Sequence, residues 1–171
     1  MKKTLQTLCL CLFMLALLTA GCGGGKDKKE LVVGTEPAFA PFEFQKENSK
    51  EYVGFDMDLI AAIAKKMGYE KCTIRGMGFD ALIPALEAKN IDVAIAGMTI
   101  TEERAKKVIF SKPYYKSGLA IVVHKDNNTV KEAADLKGKK IAVQIGTTGA
   151  MEAEKIEGAK ITSFNTNGEA C

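Results

Sequence analysis

The sequence predicts an α/β protein built on open sheets with helices on both faces. Residues 31–35, 71–77 and 92–96 are predicted to be short strands, and the last of them is apolar enough to be buried on both faces. Helical patterns lie between these strands. An order of strand, helix, strand, helix, strand is typical of an open α/β sheet with right-handed crossover connections.

The first predicted strand leads into a loop rich in aromatic residues. Phe39, Phe42 and Phe44 lie close together there, alongside Pro37 and Pro41. Because these rings cannot all face one core, they either line a pocket or close the end of the sheet. Composition alone favours the second interpretation.

A helix is predicted over residues 54–68. Its apolar positions recur at helical spacing and are Phe55, Leu59, Ala62, Ile63 and Met67. Acidic residues in the first turn, lysines in the last turn and a glycine stop support its bounds. We expect a purely structural helix in which Asp56 and Asp58 compensate the helix dipole and do not form an acid–base pair.

The remaining elements are shorter. Residues 81–90 are predicted to form a helix with Asp80 as its N-cap, Pro84 in its first turn and Asn90 at its end. Further along the chain, strands are predicted at 118–125, 140–144 and 160–164, short helices at 131–136 and 150–156, and a loop with the start of a helix at 165–171.

The stretch after the 92–96 strand predicts an anion site. The strand ends at Gly97, where backbone can approach a ligand, and Thr101 is the predicted N-cap of the helix that carries Arg104 in its first turn. The Arg104 side chain leans back toward the helix N-terminus and Thr99, so these donors converge on one place. A planar carboxylate suits such an arginine fork. The alternative is a solvated Arg104 paired with a nearby glutamate.

A second unit repeats this order of strand end, glycine, threonines and helix N-terminus. Here the residues are Gly146, Thr147 and Thr148, which follow the strand at 140–144. Two such units can face each other across a cleft. The alternative is that glycine and threonine at this turn only cap the helix.

The N-terminus predicts an export signal. Lys2 and Lys3 precede an apolar run at 8–18, and small residues lead up to Cys22. The letters LTAGC resemble the bacterial lipobox, in which the cysteine is lipidated. We expect a signal peptide over 1–21, a lipid on Cys22 and a flexible linker over 22–30; the alternative is an ordinary secretory signal with an incidental cysteine.

The composition excludes several classes of function. The 171-residue chain has a net charge of +3, and removing Lys2 and Lys3 with the signal leaves about +1, so no nucleic-acid partner is expected. His124 is the only histidine, which excludes a histidine triad or a multi-histidine metal site. The nucleotide-binding glycine motifs are also absent, and no cofactor is expected. Cys72 is predicted to be a small core residue that does not pair with Cys171.

Four ordered motifs resemble the polar amino-acid solute-binding proteins of ABC importers, particularly the glutamine and arginine types. They read LVVGTEPAFAPFEF, GFDMDLIAAIAKKMG, GFDALIPALEAKNIDVAIAGMTITEERAKKVIFSKPYYKSG and GKKIAVQIGTTG. The resemblance implies a two-lobed, type II periplasmic-binding-protein-like fold, with lobe one at 31–118 and an incomplete lobe two at 119–171. Members of this family are longer by roughly a third, so the resemblance also implies a truncated chain that binds weakly or not at all by itself.

The resemblance implies roles at the two ends of a bound amino acid. At the backbone end, Arg104 would hold the α-carboxylate with Thr99 and the amides of Thr147 and Thr148, while the Gly97 carbonyl would accept from the ammonium group.

At the side-chain end, Phe39 and Phe79 would enclose the ligand and Glu36 would contact its polar tip. Ala96 is also assigned to the site by the resemblance. Gln144 stands where arginine-type members carry glutamine, which slightly favours a basic ligand over glutamine.

The resemblance implies a non-enzymatic, monomeric receptor of the cell envelope. It would be lipid-anchored at the outer face of the cytoplasmic membrane or in the periplasm, and it would deliver a free amino acid to a membrane permease. The first alternative is an enzyme on the same scaffold, similar to cyclohexadienyl or arogenate dehydratases. A sensory domain of a larger receptor is the second.

Overall fold

The computed structural model describes residues 29–171. The predicted signal peptide, Cys22 and all but the end of the predicted linker lie outside the described residues. The strands are β1 (Glu30–Thr35), β2 (Ala38–Phe39), β3 (Glu43–Gln45), β4 (Tyr52–Val53), β5 (Lys71–Gly76), β6 (Val93–Ala94), β7 (Lys140–Gln144) and β8 (Lys160–Phe164). The α-helices are α1 (Phe55–Lys66), α2 (Leu82–Glu87), α3 (Glu102–Ala105), α4 (Thr148–Glu154) and α5 (Asn167–Ala170).

The first sheet is parallel and has the order β5-β1-β6, which confirms the predicted open α/β arrangement. Its middle strand β1 is the most buried, because neighbours cover both edges and helices cover the faces. Val33 lies opposite Ile74 on one side and Val93 on the other. The strand predicted at 92–96 is shorter than expected, since only Val93–Ala94 pair with β1.

The helix α1 confirms the predicted element but not the predicted buried face. The side chains of Phe55 and Met67 are 47% and 50% exposed, and the buried residues are Asp56, Met57, Ile60 and Ala64. These positions recur almost every fourth residue and pack on β1 with Leu31 and Val33. Asp56 is therefore an interior residue, and helix-dipole compensation does not describe its surroundings.

The aromatic loop forms a small antiparallel sheet with the order β2-β3-β4, which the sequence did not predict. Its rings divide between two environments. Phe42 stacks on Phe39 at 5.7 Å and meets the edge of Tyr115 at 4.9 Å, so it closes the end of the sheet. Phe39 remains 37% exposed and lies beside Gly97.

The α2 helix departs from its prediction at both ends. A 3-10 turn (Phe79–Ala81) precedes it, and no side chain caps either element, so the Asp80 cap is wrong. Pro84 falls in the first turn, as expected. The helix ends before Asn90 because Lys89 has a left-handed backbone, with φ 58.

The unit formed by β7, α4 and β8 confirms its predicted elements. The two strands pair in parallel, and Val143, Ala150 and Ala153 form its small core. The helix predicted at 131–136 is a 3-10 turn (Ala133–Leu136).

The strand predicted at 118–125 is wrong. This apolar segment is exposed and has no regular secondary structure, because no strand in residues 29–171 lies alongside it to complete a ladder.

After β8, Thr166 and Glu169 form a capping box at α5, where a helix start was predicted. No helix in the described part of the chain is long and apolar enough to cross a membrane.

Candidate ligand-binding site

Arg104 is the buried centre of the candidate site. Thr101 is the N-cap of α3, as predicted, and its hydroxyl accepts from the Arg104 backbone N at 3.2 Å. The Arg104 side chain is only 5% exposed, and burial holds the pKa of its guanidinium below the usual range. It is therefore not the solvated, glutamate-paired residue of the alternative interpretation.

The Arg104 guanidinium connects the two glycine turns. Its Nη1 donates to the Thr99 carbonyl at 2.7 Å, and its Nη2 donates to the Gly146 carbonyl at 2.8 Å. The guanidinium also lies 5.5 Å from the centre of the Phe79 ring, which is within the range of a cation–π contact. The structure thus brings the two predicted glycine and threonine turns together through one side chain.

Gly146 lies in close contact with the turn before α2. Its φ is 74, and a Cβ added there would lie 2.9 Å from the Cβ of Asp80. Asp80 thus faces the second turn. Glycine is required at position 146 for both its backbone conformation and the lack of a side chain.

Thr147 is a helix cap. Its hydroxyl accepts from the Ala150 backbone N at 3.1 Å and donates to the Gln144 carbonyl at 2.8 Å. The capping interpretation therefore holds for this hydroxyl. The first amides of α4, including that of Thr148, have no partner within the helix.

Glu36 and Gln144 are buried polar residues, 4% and 3% exposed. Burial raises the pKa of the Glu36 carboxyl, and a hydrogen bond with Gln144 partly offsets this. Gln144 Nε2 also donates to the Asn165 carbonyl at 3.0 Å. The end of β1 and the end of β7 thus place a carboxyl and an amide side by side.

The other predicted site residues surround these groups. Phe39 lies against Gly97, and the half-buried Phe79 lies beneath Arg104. Ala96 is a core residue packed with Leu82, so the surface near the glycine turn is contributed by its neighbours.

Sequence reasoning missed a second polar cluster, in which the buried carboxyl groups of Glu43 and Asp56 meet the partly exposed side chain of Tyr114. Asp56 Oδ2 accepts from the Gly97 backbone N at 3.1 Å and from the Tyr114 hydroxyl at 2.9 Å. Glu43 lies next to Asp56 and is 0% exposed. The period of Asp56, Ile60 and Ala64 on one helix face was the signal that an acidic side chain points inward. In residues 29–171, no three His, Cys, Asp or Glu side chains are grouped so as to hold a metal ion.

Parallel strand ends, two glycine turns and a buried arginine are features typical of α/β proteins with a site for small anions. Residues 31–165 match the model for the bacterial extracellular solute-binding proteins, family 3, and the chain belongs to this family. The two-lobed, type II periplasmic-binding-protein-like fold expected from the resemblance is thereby confirmed, and solved structures support it.

Several known proteins are similar over most of the chain. The arginine-binding extracellular protein ArtP of Bacillus subtilis (strain 168) is 40% identical over 150 residues, which cover 86% of this chain and 57% of ArtP. An ancestral arginine-binding protein bound to arginine is 51% identical with a TM-score of 0.79, covering 82% of this chain and 63% of that structure.

A third similar structure is an ancestral amino acid-binding protein described as a precursor of cyclohexadienyl dehydratase. It is 44% identical with a TM-score of 0.78, covering 84% of this chain and 64% of that structure. The chain spans little more than half the length of the curated relatives that it matches.

Proposed function

We propose that this protein is the extracytoplasmic receptor of an amino-acid ABC importer and that it captures a polar or basic amino acid for a membrane permease. The observation that carries the proposal is the buried Arg104 guanidinium, which connects the two glycine turns. A buried arginine with a planar donor face at such a junction is suited to a carboxylate.

The α-carboxylate of the ligand binds at the Arg104 end. Its oxygens take over donors that Arg104 now shares with the carbonyls of Thr99 and Gly146. Charge-assisted hydrogen bonds to a carboxylate are stronger than those to a neutral carbonyl, so this exchange favours binding. The amides of Thr147 and Thr148 add further donors.

The rest of the ligand lies toward β1. The Gly97 carbonyl accepts from the α-ammonium group, Phe39 and Phe79 enclose the aliphatic stem, and Glu36 contacts the tip. A buried carboxylate beside the neutral Gln144 favours a cationic tip, which supports arginine or lysine over glutamine. The names of ArtP and of the ancestral structure support the same choice.

The proposed organisation follows from this role. Residues 31–118 form lobe one and residues 119–171 belong to lobe two, which close on the ligand as a hinge. A lipid on Cys22 holds the monomeric receptor at the outer face of the cytoplasmic membrane or in the periplasm, and the receptor performs no chemistry of its own.

A thermal-shift panel tests the proposal. The full-length protein is heated with each of the twenty amino acids, because a ligand that binds only the folded state raises the midpoint of unfolding. We expect the largest shift with arginine or lysine and a smaller one with glutamine. A panel in which no amino acid changes the midpoint would contradict the proposal.

The second candidate is a dehydratase that acts on a cyclic, prephenate-like acid. The similarity to the precursor of cyclohexadienyl dehydratase favours it. Incubating the full-length protein with prephenate or arogenate and following ultraviolet absorbance for an aromatic product decides between the two. Turnover without an amino-acid shift would establish the enzyme.

A further inference from the structure

We propose that Glu43 and Asp56 share one proton in the protein interior and that this pair, together with Tyr114, positions Gly97 for ligand binding. The shared proton is inferred from the burial of the Glu43 and Asp56 carboxyl groups. The role of Gly97 in ligand binding rests on the function proposed above. Glu43, Asp56 and Tyr114 are positioning residues, since none of them belongs to the surface assigned to the ligand.

The burial of the two carboxyl groups favours a proton between them. Both oxygens of Glu43 and Oδ1 of Asp56 are buried without a donor from the described residues. Two ionised carboxylates can only accept hydrogen bonds, so the doubly charged pair would leave these oxygens unsatisfied. A proton on Glu43 turns one of its oxygens into a donor to the Asp56 carboxyl, which reduces the number of unsatisfied buried oxygens.

The groups that face Glu43 also favour its neutral form. Asp56 faces it from α1 and Glu36 from the end of β1, and both are acidic; Tyr114 approaches from the segment after α3. Burial, followed by the Asp56 and Glu36 carboxyls, raises the pKa of Glu43 to about 9. Burial and Asp56 likewise raise the pKa of Tyr114, so its hydroxyl keeps the proton that it donates.

This pair reaches the candidate site through Asp56. Its Oδ2 holds the backbone N of Gly97 and the hydroxyl of Tyr114, while the Tyr114 ring stacks on Phe55 at 6.2 Å. Loss of the Glu43 proton would place two negative charges together in the interior. Asp56 would then move away from Glu43 and release the Gly97 turn and the Tyr114 segment.

The first test compares Glu43→Gln with wild type and with Glu47→Gln, an exposed residue of the same β-hairpin that serves as the matched control. The glutamine amide is neutral and keeps a donor for Asp56 at every pH. Arginine affinity of the full-length protein is measured by calorimetry at about pH 7 and about pH 10. We expect wild type and Glu47→Gln to lose about tenfold more affinity over this range than Glu43→Gln, one pKa unit of coupling being tenfold in affinity.

The comparison between variants removes the titration of the ligand itself, because the same arginine is used throughout. Equal losses in all three proteins would overturn the role of the pair in binding. Replacing Tyr114 by phenylalanine removes one donor to Asp56 and should lower arginine affinity at about pH 7, whereas Tyr115→Phe should leave it unchanged.

The second test needs no ligand and therefore separates this inference from the proposed function. Glutamate labelled with ¹³C at its carboxyl carbon is incorporated into wild-type protein, and the resonances are followed from about pH 4 to about pH 10 by NMR. We expect one glutamate to remain protonated through neutral pH and to be the resonance missing from Glu43→Gln. If every glutamate loses its proton below about pH 6, the shared proton is wrong; wild type alone decides this should the variant fail to fold.

Discussion

Arg104 shows how a single residue combines burial with a charge that stays satisfied. Its carbonyl partners, Thr99 and Gly146, are far apart in the chain, yet each accepts from a different guanidinium nitrogen. A lysine at this position has no planar fork of donors and could not donate to both carbonyls in the same way. The fork geometry of arginine is therefore as important here as its charge.

Arg104→Lys is expected to weaken amino-acid binding by about one to two orders of magnitude, and Arg104→Ala should abolish it, because the lost charge-assisted bonds contribute about 1.5 to 3 kcal/mol each. Calorimetry with arginine provides the measurement. The control is Arg75→Lys, since Arg75 donates to the Asn90 carbonyl at an exposed position. Normal binding by Arg104→Ala would show that the assigned carboxylate site is wrong.

Glu36 is expected to set the preference for a basic ligand. Glu36→Gln keeps the shape of the side chain but removes its charge, so arginine and lysine should lose more affinity than glutamine. Competition binding with pairs of amino acids measures the ratio, and Glu87→Gln on the exposed part of α2 is the control. An unchanged ratio would mean that Glu36 does not contact the tip of the ligand.

At the scale of elements, the sequence predicted helices and buried strands better than it predicted which face or neighbour they use. The spacing in α1 indicated a helix, but several faces carry apolar residues, and only the position of β1 decides that Met57 and Ile60 are inside. The β2-β3-β4 sheet was missed because its strands are two or three residues long, too short to show alternation.

The candidate site was predicted where local chemistry was sufficient. The Thr101 cap follows from neighbouring residues, and the structure confirms it. The same residues left open whether Arg104 is solvated, and its buried position depends on contact with the distant Gly146 carbonyl. The Glu43 and Asp56 pair could not be predicted in this way. It depends on contact between a hairpin and a helix, and a carboxylate at a helix N-terminus has a simpler local explanation.

The approach of the two turns can be tested at Gly146. Gly146→Ala introduces a methyl group against Asp80 and also strains a backbone at φ +74, so amino-acid affinity should fall about tenfold or more. Gly138→Ala is the matched control, because Gly138 has φ +71 but nothing within 4 Å of an added Cβ. Calorimetry measures the ligand affinity of both variants and thermal unfolding measures their stability, so the loss of binding is separated from backbone strain.

Both alanine variants should lose roughly 1 kcal/mol of stability from backbone strain. Only Gly146→Ala should lose ligand affinity. Equal affinities for the two variants would show that close contact between the turns is not needed for binding.

At the scale of the whole molecule, Glu43 should make stability depend on pH. Its pKa is raised to about 9 in the folded state from an ordinary value of 4.5, so between these values the folded protein binds a proton that the unfolded chain has released. The contribution to stability is therefore fully present below about pH 4.5 and declines as pH rises toward 9.

Wild type should lose about 1.4 kcal/mol of unfolding free energy per pH unit from this group, and Glu43→Gln should lack that slope. Urea denaturation at about pH 5.5, 6.5 and 7.5 measures it. Glu47→Gln is expected to follow wild type. If the unfolding free energies of wild type and Glu43→Gln change with pH in parallel, Glu43 has the same protonation in the folded and unfolded states.

The carbonyl partners of Arg104 affect how the proposed receptor releases its ligand. When a bound carboxylate departs, the guanidinium has two backbone acceptors already in place and does not pass through a state of buried, unpaired charge. Because the carbonyls of Thr99 and Gly146 compete with the carboxylate for the guanidinium, they reduce the net gain from binding and favour dissociation. A transport receptor has to release its ligand in every cycle. In the proposed receptor, the exchange of acceptors would make ligand release and ligand capture depend on the same residue.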